Sequence, residues 1–416
     1  MIRNGDRPRI LIIGDAVAPT GFARVIRSIF EPLRASYELH QLATRCDHPP
    51  PDFPWALYPA GHGQSVYGYD RILPLIEKIR PVAVFLLYDI PFQVRYMEIL
   101  RQAEPQPSIV IYSPVESGPI APEILQRLSG VSRYVLYTEY GRREIARSLE
   151  QIRQREPDFR FPALEVIPHG VDTGRFYPLD RGSADAAERG SIPARRLSAR
   201  KAMRLDDPEH LESFIVLNAN RNMPRKRIDA TVHGFALFAK DKPARVKLYL
   251  HMATEDTGWN VLILAQRFEI FDRLIMTQAD NSRPAFSDQQ LNLLYNACDV
   301  GVTTTTGEGW GMVSFEHAAT QAAQILPRHT SLAELWDGAA ELVEPRMKLV
   351  NPGNLTDAHI VTAEDLAAAL QRLYEDREYR EALAQSGYRN ATRPERDWAA
   401  IAAQWGRLLA DVIENA

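Results

Sequence analysis

Two glutamates flank a glycine-rich segment late in the chain, and their spacing is the most informative chemical signal in the sequence. The segment reads Gly-Glu-Gly-Trp-Gly-Met-Val-Ser-Phe-Glu, which sets Glu308 and Glu316 eight positions apart. Glycines let a backbone approach a bulky ligand closely, and the N–H groups at a helix start attract phosphate. Carboxylates accept hydrogen bonds from sugar hydroxyls. The segment therefore predicts a ligand with both phosphate and hydroxyls, such as a nucleotide sugar, although each glutamate taken singly is also explained as a helix-start carboxylate.

A second candidate lies in the segment that follows the apolar run 214–217. It contains Arg221, whose planar fork can grip phosphate oxygens, and Lys226, which adds a compact positive charge. The carboxyl ends of strands in an open α/β sheet face the ligand crevice. We therefore expect these two cations to bind phosphate. The glycine spacing does not match the G-x-G-x-x-G pattern of dinucleotide sites, so an NAD enzyme is disfavoured.

Short apolar runs that alternate with helical patterns must position these residues. Continuous apolar strands are typical of parallel sheets covered by helices on both faces. Two series of such runs indicate two doubly wound α/β domains. The first series is 10–13, 82–87, 109–112, 134–137 and 164–167, and the second is 214–217, 246–250, 274–276 and 300–302.

Composition limits the remaining possibilities. A chain of 416 residues is long for one core, and its net charge of −4 gives no argument for a nucleic-acid partner. Cys46 and Cys298 are too few for a disulfide framework or a cysteine metal site. No apolar stretch approaches the roughly 20 residues of a membrane span. We expect a cytoplasmic protein. The basic cluster 194–201 is interpreted as a solvated connector with a short helix, or as a contact with an anionic acceptor or membrane surface, which leaves a peripheral membrane location open.

In their order along the chain, these motifs resemble those of retaining glycosyltransferases of family 4, which have the GT-B fold. The two glutamates resemble the E-x7-E signature, and Arg221 with Lys226 resembles the family's diphosphate-binding pair. Residues 168–172, followed by Phe176 and Pro178, resemble its interdomain motif. The resemblance is dense from about residue 167 onward. It implies two Rossmann-like domains facing across a cleft: an acceptor-side domain of residues 1–173 plus about 395–416, to which the last helix returns, and a donor-binding domain of residues 174–394.

The resemblance also implies roles for the matched positions. Glu316 would hold the ribose hydroxyls, while Glu308 and the backbone amides after it would contact the donor sugar and its phosphate. Arg221 and Lys226 would neutralise the departing diphosphate. In the first domain, Gly21 would lie near the donor phosphate. The predicted donor-binding residues are Gly21, Glu316, Gly309, Trp310, Gly311, Met312 and Val313, and the predicted catalytic residues are Glu308, Arg221, Lys226 and Glu116.

Glu116 enters this set because the sequence departs from the family. Many members carry a histidine after the strand that corresponds to 109–112, and none follows here. Glu116 is expected to take over contacts with donor or acceptor hydroxyls, and Asp89, after the preceding strand, is a comparable candidate. Gln321 replaces a residue that is usually small, which we expect to alter packing. The loop 277–286 is expected to contact the nucleotide base.

The expected reaction is transfer of a sugar from a UDP- or GDP-sugar with retention, by front-face displacement and without a metal or other cofactor. The nucleotide sugar is then a co-substrate. The acceptor stays open: a glycan, a lipid-linked sugar, a metabolite, a protein or a nucleic acid. Three alternatives also stay open, namely a sugar phosphorylase, a nucleotide-sugar epimerase and a non-catalytic sugar-nucleotide-binding protein, since a fold alone does not establish function.

Overall fold

A computed structural model describes residues 7–180, 193–278 and 280–415 of the chain. Residues 1–6 and 416 of the predicted first domain, and Ala279 of the predicted base-contacting loop, lie outside this description. Two structural units are present. Unit 1 extends to Gly170 and includes the chain from Glu395 onward, and unit 2 extends from Val171 to Pro394. The boundary falls inside the segment 168–172.

Unit 1 is built on a parallel sheet whose strand order is β3-β2-β1-β4-β5-β6-β7. Its central strands are buried on both faces, which explains their continuous apolar sequences. The strands are β1 Arg9–Asp15, β2 Glu38–Thr44, β3 Ala56–Pro59, β4 Ala83–Leu87, β5 Ser108–Ser113, β6 Arg133–Leu136 and β7 Leu164–Val166. The helices between them are α1 Gly21–Leu33, α2 Ile72–Ile79, α3 Ile90–Leu100, α4 Pro122–Gln126 and α5 Glu139–Arg155.

Unit 2 repeats this architecture with the parallel strand order β10-β9-β8-β11-β12-β13, and β14 pairs with β15 as an antiparallel hairpin. Its strands are β8 Phe214–Asn218, β9 Val246–Leu250, β10 Leu274–Met276, β11 Val300–Val302, β12 Ala323–Pro327, β13 Glu341–Val343, β14 Met347–Val350 and β15 Asp357–Ile360. Its helices are α6 Ala194–Ala202, α7 Pro208–Leu211, α8 Ile228–Ala239, α9 Val261–Arg267, α10 Asp288–Ala297, α11 Met312–Ala318, α12 Thr330–Leu335, α13 Ala363–Glu375 and α14 Arg377–Ala391. The two parallel sheets confirm the predicted pair of Rossmann-like α/β domains.

The C-terminal helix, α15 Trp398–Glu414, belongs to unit 1. Trp405 on this helix is fully buried and packs against Phe85 of β4 and Tyr112 of β5, with ring centroids 5.2 and 4.8 Å apart. Gly406 accepts a hydrogen bond of 3.3 Å from the Tyr37 hydroxyl. The last helix therefore completes the core of the unit in which the chain begins. Among all described helices, none has both the length and the apolar character that a membrane span requires.

Candidate functional site

The segments that follow β8 and β11 bring Lys226 and Glu308 together. Lys226 ends a short 3₁₀ turn after β8, and Glu308 lies in the glycine-rich segment after β11. Lys226 Nζ forms an ion pair with Glu308 Oε2, and the two side chains are only 10% and 11% exposed. Arg225 Nη1 lies 3.5 Å from the same carboxylate oxygen and donates to the Gly307 carbonyl at 2.5 Å. Arg225 was not predicted from the sequence, although it is adjacent to Lys226.

The charge balance at this pair keeps Glu308 ionised. Burial by itself raises the pKa of the Glu308 carboxyl, but the positive charges of Lys226 and Arg225 outweigh it and hold the pKa below its ordinary value. Two cations thus face one carboxylate. These cations lie at the carboxyl edge of the sheet, where positively charged side chains suit a phosphate ligand.

A run of four buried threonines, 303–306, fixes this arrangement. The Thr304 hydroxyl lies within hydrogen-bonding distance of the carbonyl oxygens of Lys226, at 3.1 Å, and Arg227, at 2.7 Å. The Thr306 amide donates to the Arg225 carbonyl at 2.9 Å. These bonds join the loop after β11 to the loop after β8, so the positions of the cations and of Glu308 depend on each other.

The start of α12, after β12, supports the glutamate from the other side. The Glu308 amide donates to Thr330 Oγ1 at 3.2 Å, and the Ser331 hydroxyl donates to the Glu308 carbonyl. His329 Nε2 lies 2.9 Å from the Thr305 carbonyl oxygen. Burial lowers the pKa of His329 to about 4, so the ring is neutral near pH 7. These residues are not among those predicted from the sequence, because β12 was not predicted either; their signal is their place directly after that strand.

Glu316 lies one turn inside α11, as the sequence predicts. Gly311 precedes this helix with φ +89°, a left-handed conformation that favours glycine. The Tyr295 hydroxyl of α10 donates to Glu316 Oε2 at 3.1 Å. Glu316 is only 6% exposed, whereas Gly311, Met312 and Val313 are partly exposed. Tyr295 is a further residue that the sequence analysis did not single out.

Trp310, a predicted donor contact, directs its ring into unit 2. The side chain is 3% exposed and stacks on Phe315, with ring centroids 5.0 Å apart. Phe315 packs in turn against Trp336 at 4.4 Å. The ring of Trp310 therefore anchors the glycine-rich segment to the core, and a contact of this residue with a donor would involve its backbone, as the resemblance implies.

Arg221 lies in a different cluster from Lys226. Asp256 accepts two hydrogen bonds from its guanidinium, at 2.6 and 3.1 Å, and contacts Arg283 at 3.3 Å. The hydrogen bonds from Arg221 lower the pKa of Asp256 to about 2, with a further contribution from Arg283. Arg221 is 42% exposed. Arg283 comes from the predicted base-contacting loop, and Thr277 at the start of that loop lies 2.7 Å from His251 Nδ1.

In unit 1, Gly21 is the first residue of α1, and a buried carboxylate organises the loop before it. Thr20 caps the helix by accepting from the Ala23 amide at 3.2 Å, and its hydroxyl donates to Asp15 at 2.7 Å. Fully buried Asp15 also accepts from Thr44 at 2.8 Å, from Tyr88 at 3.0 Å and from Arg45. Asp15 is not among the residues predicted from the sequence; its place as the last residue of β1 is the available signal.

Glu116 follows β5 and is half-buried, and Asp89 precedes α3. Both carboxylates lie close enough to the Tyr137 phenol to affect it: burial, Tyr112 and the charges of Asp89 and Glu116 raise its pKa well above the ordinary value. The two predicted candidates thus act electrostatically on the same phenol. His169 Nδ1 lies 2.8 Å from the Tyr112 hydroxyl, and burial lowers its pKa to about 3. Within the described residues, no three His, Cys, Asp or Glu side chains are grouped to hold a metal ion.

Two Rossmann-like units, with converging charged side chains at the carboxyl edge of the second, define an α/β protein with a candidate phosphate site. No family model matches the chain. Sucrose-phosphate synthase from Thermosynechococcus elongatus superimposes with a TM-score of 0.70 at 17% identity, covering 99% of this chain and 100% of that one. Anabaena HepE, solved with UDP and glucose, gives a TM-score of 0.66 at 15% identity, covering 97% and 100%.

The chain therefore has the GT-B fold, and the predicted resemblance to GT-B glycosyltransferases is confirmed at the level of the fold. A D-inositol 3-phosphate glycosyltransferase from Segniliparus rotundus is 26% identical over 207 residues, which is 48% of this chain. The matched stretch spans 39% of that relative's length.

Proposed function

We propose that the chain is a glycosyltransferase of the family 4 type, which transfers a sugar from a nucleoside diphosphate sugar to an acceptor nucleophile with retention and without a metal. The group formed by buried Lys226 and Glu308 and by partly buried Arg225 carries this proposal. It combines two positively charged side chains with an ionised carboxylate at the sheet edge where α/β proteins bind ligands. The GT-B fold, which HepE with its bound UDP and glucose shares, supports the donor class.

The chemistry follows from where charge develops. When the bond between sugar and phosphate breaks, negative charge grows on the departing diphosphate, and preorganised cations lower the barrier most when they are already in place. Lys226 and Arg225 would meet this charge without the reorganisation that a solvent-exposed side chain needs. Arg221, which is more exposed and bound to Asp256, would contribute further positive charge toward the departing diphosphate. These cations supply the neutralisation that a divalent ion would otherwise provide.

Glu308 is unsuited to be a general acid near pH 7. A carboxyl that donates a proton to a leaving group needs a raised pKa, whereas the neighbouring cations lower that of Glu308. We assign it two roles: it positions Lys226, and it accepts hydrogen bonds from donor-sugar hydroxyls. Glu316 would accept the ribose hydroxyls, with Tyr295 orienting its carboxylate.

The retaining step would proceed on one face of the sugar. The departing phosphate takes the proton of the acceptor as the acceptor oxygen bonds to the anomeric carbon. The leaving diphosphate therefore acts as the base, and the contribution of the protein is orientation and charge stabilisation. Glu116 and Asp89, whose charges both act on the Tyr137 phenol in unit 1, are the proposed contacts for sugar or acceptor hydroxyls.

The test uses a panel of UDP- and GDP-sugars incubated without acceptor, with release of the nucleoside diphosphate as the readout. The wild type should hydrolyse one donor slowly, Lys226→Met should lose this activity, and the exposed control Lys240→Met should retain it. Activity should persist in excess chelator; activity that disappears and returns with magnesium would refute the metal-free mechanism. Phosphate-dependent release of a sugar phosphate would indicate a phosphorylase, an interconverted donor sugar would indicate an epimerase, and binding without turnover would indicate a non-catalytic protein.

A further inference from the structure

Unit 2 contains a cavity of about 330 Å³ lined by four arginines. Arg195 and Arg196 come from α6, and Arg377 and Arg380 come from α14. This volume falls within the range of small-molecule sites. We call this space the arginine cavity.

The arginine cavity lies at the opposite edge of the sheet from the candidate donor site. An adjoining cavity shares Arg196 and Arg380 with it and is lined by Phe214 and Val246, the first residues of β8 and β9. The donor-site residues instead follow the carboxyl ends of the strands. Five residues of β8 at about 3.3 Å each separate the two edges by roughly 16 Å. A ligand of the arginine cavity would therefore not contact a diphosphate held by Lys226.

Two arginines in the outer part of the cavity are paired with carboxylates. Asp180 pairs with Arg195 at 3.2 Å, and Glu381 pairs with Arg377 at 2.6 Å. Each of these contacts joins one guanidinium to one carboxylate. The surplus charge must therefore come from the inner arginines.

The inner arginines outnumber their carboxylates. Asp299 is shared between Arg196, at 3.3 Å, and fully buried Arg200, at 2.8 Å. Arg380 contacts backbone carbonyls and lies over the Phe214 ring at 5.3 Å, and no described carboxylate is within ion-pairing distance of it. With the two outer pairs included, the part of the chain that the structure describes places Arg195, Arg196, Arg200, Arg377 and Arg380 around this cavity, together with the carboxylates Asp180, Asp299 and Glu381.

Burial raises the free-energy cost of keeping Arg196 and Arg380 charged, and some of their N–H donors make no hydrogen bond. Arg196 is only 7% exposed. Desolvation lowers its pKa to about 10, and desolvation also lowers the pKa of Arg380. Within the described chain, Nη2 of Arg196 and both Nε and Nη2 of Arg380 make no hydrogen bond. Guanidinium forks of this kind match the oxygens of a phosphate group.

We propose that the arginine cavity is a second anion site, which binds the phosphate group of a small phosphorylated molecule independently of the donor site. The bound anion compensates the surplus charge of Arg196 and Arg380 and takes up their unused N–H groups. Because this cluster is assembled only in the folded state, binding also stabilises unit 2.

The experiment titrates inorganic phosphate into the full chain by calorimetry and compares five proteins. Arg380→Gln should weaken phosphate binding about tenfold or more, because it removes a charged donor pair. Glu381→Gln should strengthen it roughly threefold by removing an opposing charge from the wall. Arg389→Gln, an exposed arginine on the same helix outside the cavity, should leave binding unchanged.

The fifth protein, Lys226→Met, separates the two sites. It should bind phosphate in the arginine cavity with wild-type affinity. The proposal is overturned if Lys226→Met abolishes phosphate binding while Arg380→Gln retains it, or if the wild type binds no phosphate at millimolar concentration. Glu381→Gln leaves the contacts of Arg380 intact, so its gain in affinity tests the site even if Arg380→Gln fails to fold.

Discussion

Lys226 and Glu308 form the buried ion pair at the glycine-rich segment, and removing one or the other should lower the free energy of unfolding by different amounts. Lys226 and Glu308 are about nine-tenths buried, and breaking such a pair from one side costs about 3–5 kcal/mol. Glu308→Gln removes the carboxylate that Lys226 and Arg225 share. Lys226→Met leaves Glu308 beside Arg225 at 3.5 Å. We therefore expect Glu308→Gln to destabilise unit 2 more than Lys226→Met, by about 1.5 kcal/mol, the contribution of one retained hydrogen bond between charged groups.

Donor binding should follow the opposite order. Lys226→Met removes a phosphate contact and should weaken UDP binding about 10–100-fold. Glu308→Gln releases both cations from the carboxylate and should leave UDP affinity unchanged or higher. Because these orders differ, a general loss of structure cannot produce both results.

Stability is measured by hydrogen exchange in increasing urea, followed on peptides from Val171–Pro394, so that unfolding of unit 2 is separated from that of unit 1. UDP affinity is measured by calorimetry, and the exposed Glu364→Gln and Lys240→Met serve as matched controls. The double variant should cost less than the sum of the single variants, because the two residues are coupled. Equal costs for the single variants, together with unchanged UDP binding in Lys226→Met, would refute the reasoning.

Three further outcomes are expected. Gly311→Ala should destabilise unit 2 by about 1–2 kcal/mol in the same exchange experiment, because an alanine is strained at φ +89°. The added Cβ would meet Leu332 at 3.4 Å, which is ordinary contact, so the cost comes from the backbone conformation, and no loss of stability would contradict this explanation. Glu316→Ala should weaken UDP binding strongly, whereas Tyr295→Phe, which loses one hydrogen bond, should weaken it about threefold to tenfold by calorimetry; equal effects would remove the ribose role. His169 is neutral in the folded state, with a pKa lowered from 6.5 to about 3. Its contribution to the free energy of unfolding is therefore fully present above pH 6.5, and acidification lowers that free energy, by about 1.4 kcal/mol at pH 5.5. Urea unfolding of unit 1 should consequently depend less on pH in His169→Phe, and an unchanged pH dependence would contradict this assignment.

The fold could be read from the sequence wherever strands are buried on both faces, since such strands are continuously apolar. It could not be read where a polar side chain is satisfied inside the sheet. Gln41 interrupts the apolar pattern of β2, yet it is fully buried because its amide bonds the Gly14 and Asp15 carbonyls and accepts from Trp55. Gln324 likewise interrupts β12 and is buried, with its amide bonded to the carbonyls of Ala322 and Ala323 just before it in the chain. Such strands become recognisable only when the neighbouring backbone is in place.

The candidate site shows the same division. The sequence by itself determined which segments would gather at one edge, because parallel strands end together and the residues after them must be neighbours. It placed Lys226, Glu308 and Glu316 there. Only the tertiary structure decided that Arg225, and not Arg221, shares the carboxylate of Glu308, because Asp256 from the loop after β9 binds Arg221. Basic residues a few positions apart cannot be told apart from the sequence alone, because the strength of an ion pair depends on the distance between the charged atoms, and only the folded loops determine that distance.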